Sequence, residues 1–243
     1  MDLSGCAASF SRARRAFAAR SEILVNGMAI FDYGALSATP LKSDPYEHLV
    51  VPNFVKPDAF EKIVADFPTV RDAGPVPPEE LDIKGAMKTL LDEMEGPEFR
   101  DAIGEKVGMD LSSRATLITV RGLCRARDGA VHTDAASKLV TVLLYLNQEW
   151  DADGGRLRIL RSDNLDDYAA EVPPTNGTLL VFKRSDKSFH GHPSFEGVRR
   201  AIQLNWITDD EAAARRRRKR SFLSTIERLN PFAKVKTRER QMM

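Results

Sequence analysis

Hydrophobic and polar positions divide the chain into a helical first half and a strand-rich second half. Pro57 and Asp58 open a segment in which Phe60, Ile63, Val64 and Phe67 recur at helical spacing, predicting a helix with one buried face that ends at Pro68. Proline suits a first helical turn, and an acidic residue suits the positive end of the helix dipole. Two further helices are predicted over 87–93 and 98–107, the second with Phe99, Ile103 and Val107 at i, i+4 and i+8. His48-Leu49-Val50-Val51 reads as a strand stopped by Pro52. From residue 114 the pattern changes. Residues 115–120 are rich in β-branched side chains, and 156–160 alternate charged and apolar positions. Residues 139–146 form an apolar run broken only by Thr141, as in a strand buried on both faces. Residues 178–182 follow an Asn176-Gly177 turn, and 200–207 close the set. Earlier, 22–25 and 29–31 read as short strands and 37–45 as a loop. Residues 74–78, with Gly74 and three prolines, read as a loop or lid. Helices followed by many short strands predict an α+β, mainly β fold: a β-sandwich or jelly roll supported by N-terminal helices. The organisation expected is an N-terminal appendage over 1–44, a domain over 45–208 with its β core at about 114–208, and a tail over 209–243.

Composition changes this picture at the ends. A hydrophobic content of 42% suffices for a sizeable core, and the net charge of +1 hides an asymmetry. Arg215-Arg216-Arg217-Arg218-Lys219-Arg220 precedes Phe222, Leu223, Ile226 and Leu229 at helical spacing. Such a segment is either a solvated, disordered tail or a basic amphipathic helix suited to an anionic membrane surface, a nucleic acid or an acidic partner. Residues 9–20, rich in Arg and Ala, resemble a transit peptide in composition, but a short surface helix is the favoured reading. Cys6 and Cys124 make no disulfide framework, which points to a reducing, cytoplasmic setting, with the tail offering peripheral membrane attachment. No apolar stretch reaches bilayer-spanning length. Asn176-Gly177-Thr178 matches a glycosylation sequon and is read as a turn.

The candidate chemistry centres on His132-Thr133-Asp134. On an extended strand these two side chains share a face, supplying two of the three ligands of a 2-His-1-carboxylate triad. His190 and His192, two apart before Pro193, both qualify as the third, and spacing alone leaves the choice open. Arg199 follows on or just before a strand. A guanidinium binds a carboxylate through two parallel hydrogen bonds, as a dianionic cosubstrate chelating a metal at its other end requires. His48 has no partner in sequence and is assigned no role. Residues 74–78 and the acidic segment 162–174, with Asp163, Asp166, Asp167 and Glu171, are expected to border the entrance, the acidic segment most simply as a solvated loop.

In order along the chain, His132-Thr133-Asp134, Tyr145-Leu146-Asn147 with Trp150, Gly154-Gly155-Arg156-Leu157, His190, and Arg199 through Ile202 with Trp206 resemble the prolyl 4-hydroxylase-like branch of the Fe(II)- and 2-oxoglutarate-dependent dioxygenases. The resemblance covers about 114–208, with a weaker helical prelude from Tyr46. It implies a double-stranded β-helix (jelly roll) core. It also implies Fe(II) held by His132, Asp134 and His190, since the family's distal histidine commonly precedes its basic residue by nine or ten positions. Arg199 and Tyr145 would then meet the far carboxylate of 2-oxoglutarate, with L-ascorbate as an accessory reductant. No catalytic residue beyond the metal site is implied. The activity implied is oxidative decarboxylation of 2-oxoglutarate coupled, with O2, to hydroxylation of a small-molecule, glycan or protein substrate, prolyl residues among them. The chain departs from the family where many relatives carry a cosubstrate-contacting tyrosine before the His-x-Asp motif. Here that stretch reads Val120-Arg121-Gly122-Leu123, making Arg121 a candidate replacement. Two other classes compete: a cupin-like metal- or sugar-binding module without turnover, which needs neither Arg199 nor Tyr145, and an adaptor acting through its basic tail.

Overall fold

The structure, a computed structural model, describes residues 24–25, 28–212 and 214–215. Residues 9–20 and the basic run from Arg216 onward lie outside the described residues. Strands β1 (Leu24–Val25) and β2 (Met28–Ala29) pair as a small ribbon. Helix α1 (Tyr33–Ala38) follows, capped by the Asp32 carboxylate, which accepts a hydrogen bond from the Ala35 N–H at 2.8 Å. After β3 (His48–Val51) come α2 (Pro57–Ala65), α3 (Gly85–Met94) and α4 (Pro97–Val107). Proline starts both α2 and α4, where its missing N–H has no helical partner to lose. Asp66, just past α2, accepts from the Ala86 N–H at 2.7 Å and so caps α3 from outside it.

The remaining elements are strands: β4 (Ala115–Cys124), β5 (Lys138–Tyr145), β6 (Leu157–Leu160), β7 (Tyr168–Val172), β8 (Leu179–Lys183), β9 (His190–Gly191) and β10 (Gly197–Ile207). They form a five-stranded sheet, β3-β8-β5-β10-β4, and a three-stranded sheet, β7-β6-β9. Every strand pairing in both is antiparallel. The fold is therefore mainly β, with the helices as a separate layer.

Strand periodicity sorts the five-stranded sheet into two faces. Val140, Val142 and Leu144 of β5, Leu179 and Val181 of β8, and Ile202, Leu204 and Trp206 of β10 pack on the helices. The alternate positions Leu143, Tyr145, Leu180, Phe182 and Ala201 face Leu157, Ile159 and Val172 of the smaller sheet. Burial on both faces explains why the β5 stretch reads as an unbroken apolar run.

Three boundaries differ from the sequence reading. The core extends N-terminal of residue 45: Ile30, Phe31, Tyr33 and Leu36 are buried in the helix-side core, and Phe31 bridges to Val55. Strand β4 continues through Cys124, past the Arg121-Gly122 interruption, because β10 pairs along its whole length. The 74–78 stretch is not a free lid. Val76 exchanges two backbone hydrogen bonds with Val120 at 2.9 and 2.8 Å, covering part of the outer edge of β4. The Asn176-Gly177 turn forms as expected, with both residues at positive φ, 52° and 65°. A side chain at Gly177 would meet Val55. Among the described residues no helix is long and apolar enough to cross a membrane.

Candidate metal centre

His132-Thr133-Asp134 lies in the β4–β5 connection, not in a regular strand as the sequence suggested. One antiparallel bridge pins it. The His132 N–H donates to the His190 carbonyl at 3.0 Å, and the His190 N–H donates back at 2.9 Å. Residues directly opposed in such a pair project to the same face. This brings the two rings to 4.4 Å between centroids. Asp134 joins them, and the ligand atoms of His132, Asp134 and His190 all lie within 4.8 Å of one another. His192 sits one step further along that face, its N–H bonded to the Gly129 carbonyl at 2.9 Å. Its Nε2 lies 4.0 Å from Cys124 Sγ, away from the trio. The bridge thus places His190, and not His192, beside His132 and Asp134.

Backbone carbonyls set the state of both rings. Nδ1 of His132 lies 2.8 Å from the Ala130 oxygen, and Nδ1 of His190 lies 3.0 Å from the Ser188 oxygen. A carbonyl only accepts, so each neutral ring carries its proton on Nδ1 and offers Nε2 as a lone pair. Burial, and then His132 beside it, push His190 down to about 4, which keeps it neutral at physiological pH. Phe182, with ring centroids 4.8 Å apart, backs the His190 ring. Asp134 is buried, which by itself would raise its pKa. The Lys138 ammonium at 2.6 Å, the Thr141 hydroxyl at 2.5 Å and nearby His190 outweigh burial and hold it below the usual carboxylate value.

The Asp134 carboxylate also ends a chain of hydrogen bonds that all donate one way. Arg121 Nη2 donates to Gln203 Oε1 at 3.3 Å, and Gln203 Nε2 donates to Asn205 Oδ1 at 3.2 Å. Asn205 Nδ2 then donates to Thr141 Oγ1 at 2.8 Å, and Thr141 donates to Asp134. Thr141, the one polar break in the apolar run, is thereby a support of the carboxylate.

Beside this trio lies a cavity of about 130 Å³ whose lining includes His132, Asp134, His190, Arg121, Arg199 and Gln203. Arg199 precedes Ala201 across a register shift in β10 between Val198 and Ala201. Asn147 holds that irregularity, its Oδ1 accepting from the Arg200 N–H at 2.9 Å. Arg199 Nε donates to the Gly155 carbonyl at 2.8 Å. Gly155 has φ 79°, and a side chain there would meet Trp150 and Phe195, so the Gly154-Gly155 pair is a backbone device that presents this oxygen. Tyr145 lies fully buried beneath, with the Arg199 guanidinium carbon 5.3 Å from its ring centre. The Tyr145 hydroxyl and Arg199 Nη2 are buried and have no hydrogen-bond partner among the described residues. Burial, opposed by Arg199, raises the hydroxyl's pKa, so it stays protonated.

Neither segment expected at the entrance lines the cavity. In the acidic one, Asp166 and Glu171 are paired to Arg158 at 3.1 and 2.8 Å, and Tyr168–Val172 forms β7. These two charges are paired with β6.

Residues 123–208 match the family model described as the 2OG-Fe(II) oxygenase superfamily. The matched segment contains His132, Asp134, Tyr145, His190 and Arg199. Among solved structures, a Pseudomonas putida prolyl-4-hydroxylase is similar at 16% identity and a TM-score of 0.50, over 78% of this chain and 95% of that one. A Trichoplax adhaerens prolyl hydroxylase, solved with a hypoxia inducible factor oxygen degradation domain peptide fragment, is similar at 16% identity and a TM-score of 0.47, over 85% of this chain and 95% of that one. At 16% identity the likeness to the Pseudomonas putida enzyme speaks to fold alone. No curated protein matches the sequence. Within the matched segment the structure brings together all five residues singled out from sequence: His132, Asp134, His190, Arg199 and Tyr145. The sequence reading missed Lys138, Thr141, Gln203 and Asn205. The available signal was parity: on a strand whose even positions 202, 204 and 206 are apolar, Gln203 and Asn205 share the Ala201 face.

Proposed function

We propose that His132, Asp134 and His190 hold Fe(II), and that Arg199 and Tyr145 receive the far carboxylate of 2-oxoglutarate, on a jelly-roll (double-stranded β-helix) scaffold. The reaction is then oxidative decarboxylation of 2-oxoglutarate coupled, with O2, to hydroxylation of a C–H bond in a substrate. The observation that carries this reading is the pair of buried, unpartnered polar atoms, Tyr145 Oη and Arg199 Nη2. A buried donor without an acceptor costs about 1–3 kcal/mol, more when charged. A carboxylate placed between them satisfies both. A cupin-like module that binds only metal leaves both orphaned.

The donor set fits Fe(II): two imidazoles and one carboxylate, a combination that leaves open positions. When bound, Fe(II) supplies the redox chemistry that activates O2. The chain's own residues do the rest. The Ala130 and Ser188 carbonyls fix both histidine tautomers. Thr141 orients Asp134, and the Lys138 charge keeps it ionised. Leu143 and Leu157 line the cavity and exclude water. His132 is exposed while Asp134 and His190 are buried, so substrate approaches from the His132 side. Peptidyl proline is the first substrate class to test, by screening peptides and metabolites for succinate release with ascorbate as reductant. We place this activity in a reducing, cytoplasmic setting, and assign the basic segment after residue 209 to attachment at an anionic surface or acidic partner.

The reading is tested by titrating 2-oxoglutarate calorimetrically into the Zn(II)-loaded protein. Saturable binding that is lost in Arg199→Ala supports it; no binding by the wild-type protein refutes it.

A further inference from the structure

Arg121, the first donor of the hydrogen-bond chain that ends on Asp134, occupies a privileged position. In the register of the five-stranded sheet, Arg121 of β4, Ala201 of β10 and Tyr145 of β5 stand in one row across three neighbouring strands. Directly opposed residues share a face, so Arg121 and Tyr145 rise from the same side of the sheet on either side of Ala201. Ala201 is fully buried and contributes only a methyl group. Arg199 enters from the same strand as Ala201, two residues earlier. Three polar side chains therefore ring a small floor, and both arginines line the same cavity.

The charges in this ring do not balance. Burial, and then the like charge of Arg199, push the Arg121 guanidinium below its ordinary value. Asp128, the nearby carboxylate on the cavity wall, is engaged with Arg125 at 2.9–3.3 Å. Arg121's hydrogen bond to Gln203, at 3.3 Å, uses one of its five donors. Two guanidiniums in one partly dry cavity, with Arg199 Nη2 and Tyr145 Oη orphaned beside them, form a site shaped for an anion.

Resting on the function proposed above, we infer that Arg121 is a second cosubstrate-binding residue, closing with Arg199 and Tyr145 around the far carboxylate of 2-oxoglutarate. One guanidinium takes each side of the carboxylate, and the tyrosine hydroxyl donates between them. Gln203 holds Arg121 in place and links it through Asn205 and Thr141 to Asp134, so the anion site and the metal carboxylate belong to one hydrogen-bonded unit.

The test compares 2-oxoglutarate with pyruvate, an α-keto acid that lacks the far carboxylate. Each is titrated calorimetrically into the full-length, Zn(II)-loaded protein as wild type, Arg121→Met, Arg121→Lys and Arg199→Met. Loss of a charge-assisted hydrogen bond predicts that Arg121→Met weakens 2-oxoglutarate about tenfold to a hundredfold, with Arg121→Lys recovering part of it. Pyruvate affinity and Zn(II) affinity should stay within about twofold, because neither involves the far carboxylate. If Arg199→Met loses 2-oxoglutarate while Arg121→Met keeps it, the proposed function stands and the role of Arg121 falls. Equal weakening of both keto acids by Arg121→Met also overturns the inference, because it reveals a merely structural effect. Wild-type protein that takes up no 2-oxoglutarate overturns both.

Discussion

Replacing Thr141 by Val keeps the volume and shape of a buried β5 side chain and removes only its hydroxyl. Two hydrogen bonds go with it: the one Thr141 donates to Asp134 Oδ2 at 2.5 Å and the one it accepts from Asn205 Nδ2 at 2.8 Å. A hydrogen bond to a charged group contributes about 1.5–3 kcal/mol, and a stranded buried amide donor costs about 1–3 kcal/mol. Asn205 is 2% exposed, so water does not replace the lost partner. Lys138 still holds Oδ1, which limits the carboxylate's freedom to rotation about that contact. The expected loss of stability is about 2.5–4 kcal/mol, the lower part of the two contributions together because Lys138 still satisfies Oδ1, and small enough against a typical 5–15 kcal/mol for the protein to stay folded. Metal affinity should fall further, by about tenfold to a hundredfold, the usual effect of removing a group that orients a ligand. The assay is Zn(II) or Co(II) titration against a competing chelator, with thermal unfolding run in parallel. Thr141→Ser, which keeps the hydroxyl, should bind metal nearly as the wild type does. If Thr141→Val binds metal within about twofold of wild type, the hydroxyl does not support the ligand and the argument from the chain of donors is wrong.

Three other outcomes follow from the same geometry. Lys138→Met removes a positive charge 2.6 Å from Asp134 Oδ1 and should tighten divalent-metal binding at neutral pH by about threefold to tenfold, read in the same chelator competition. His48 is buried, and burial holds its imidazole below its ordinary value. The unfolded chain therefore binds the proton more readily, and stability is lost as pH falls below about 6.5. His48→Gln should flatten the decline in Tm of the metal-free protein between about pH 7 and pH 5, and an unchanged slope would exclude His48 as its source. Trp206, 1% exposed and stacked on Phe99 at 6.3 Å, ties β10 to α4. Trp206→Ala should cost about 3–5 kcal/mol in denaturant unfolding.

The helices were legible because Phe60, Ile63, Phe99, Ile103 and Val107 repeat with the helical period and fall on the buried side. The central strands were legible because burial on both faces leaves them apolar at every position. The cluster of His132, Asp134 and His190 was legible only as candidates. His190 and His192 have the same parity, and a backbone bridge to His132, 58 residues away in sequence, separates them. The support of Asp134 was hidden for a similar reason. Asn205 and Thr141 lie 64 residues apart and meet only once β10 is in register with β5. The boundary near residue 45 was misplaced because Ile30 and Phe31 gain their burial from Val55 and the helices beyond it, and no local pattern announces that packing. Arg121 interrupted the β4 pattern because it is a polar side chain aimed into a cavity.

The most direct measurement of the central claim is succinate formation by the purified full-length protein supplied with Fe(II), 2-oxoglutarate, ascorbate and O2, alone and with proline-containing peptides. The wild type and His192→Ala should form succinate, while His132→Ala, Asp134→Ala and His190→Ala should not. Succinate formation that survives His190→Ala but disappears in His192→Ala, or a wild type that binds 2-oxoglutarate yet never forms succinate with any substrate offered, would contradict the account.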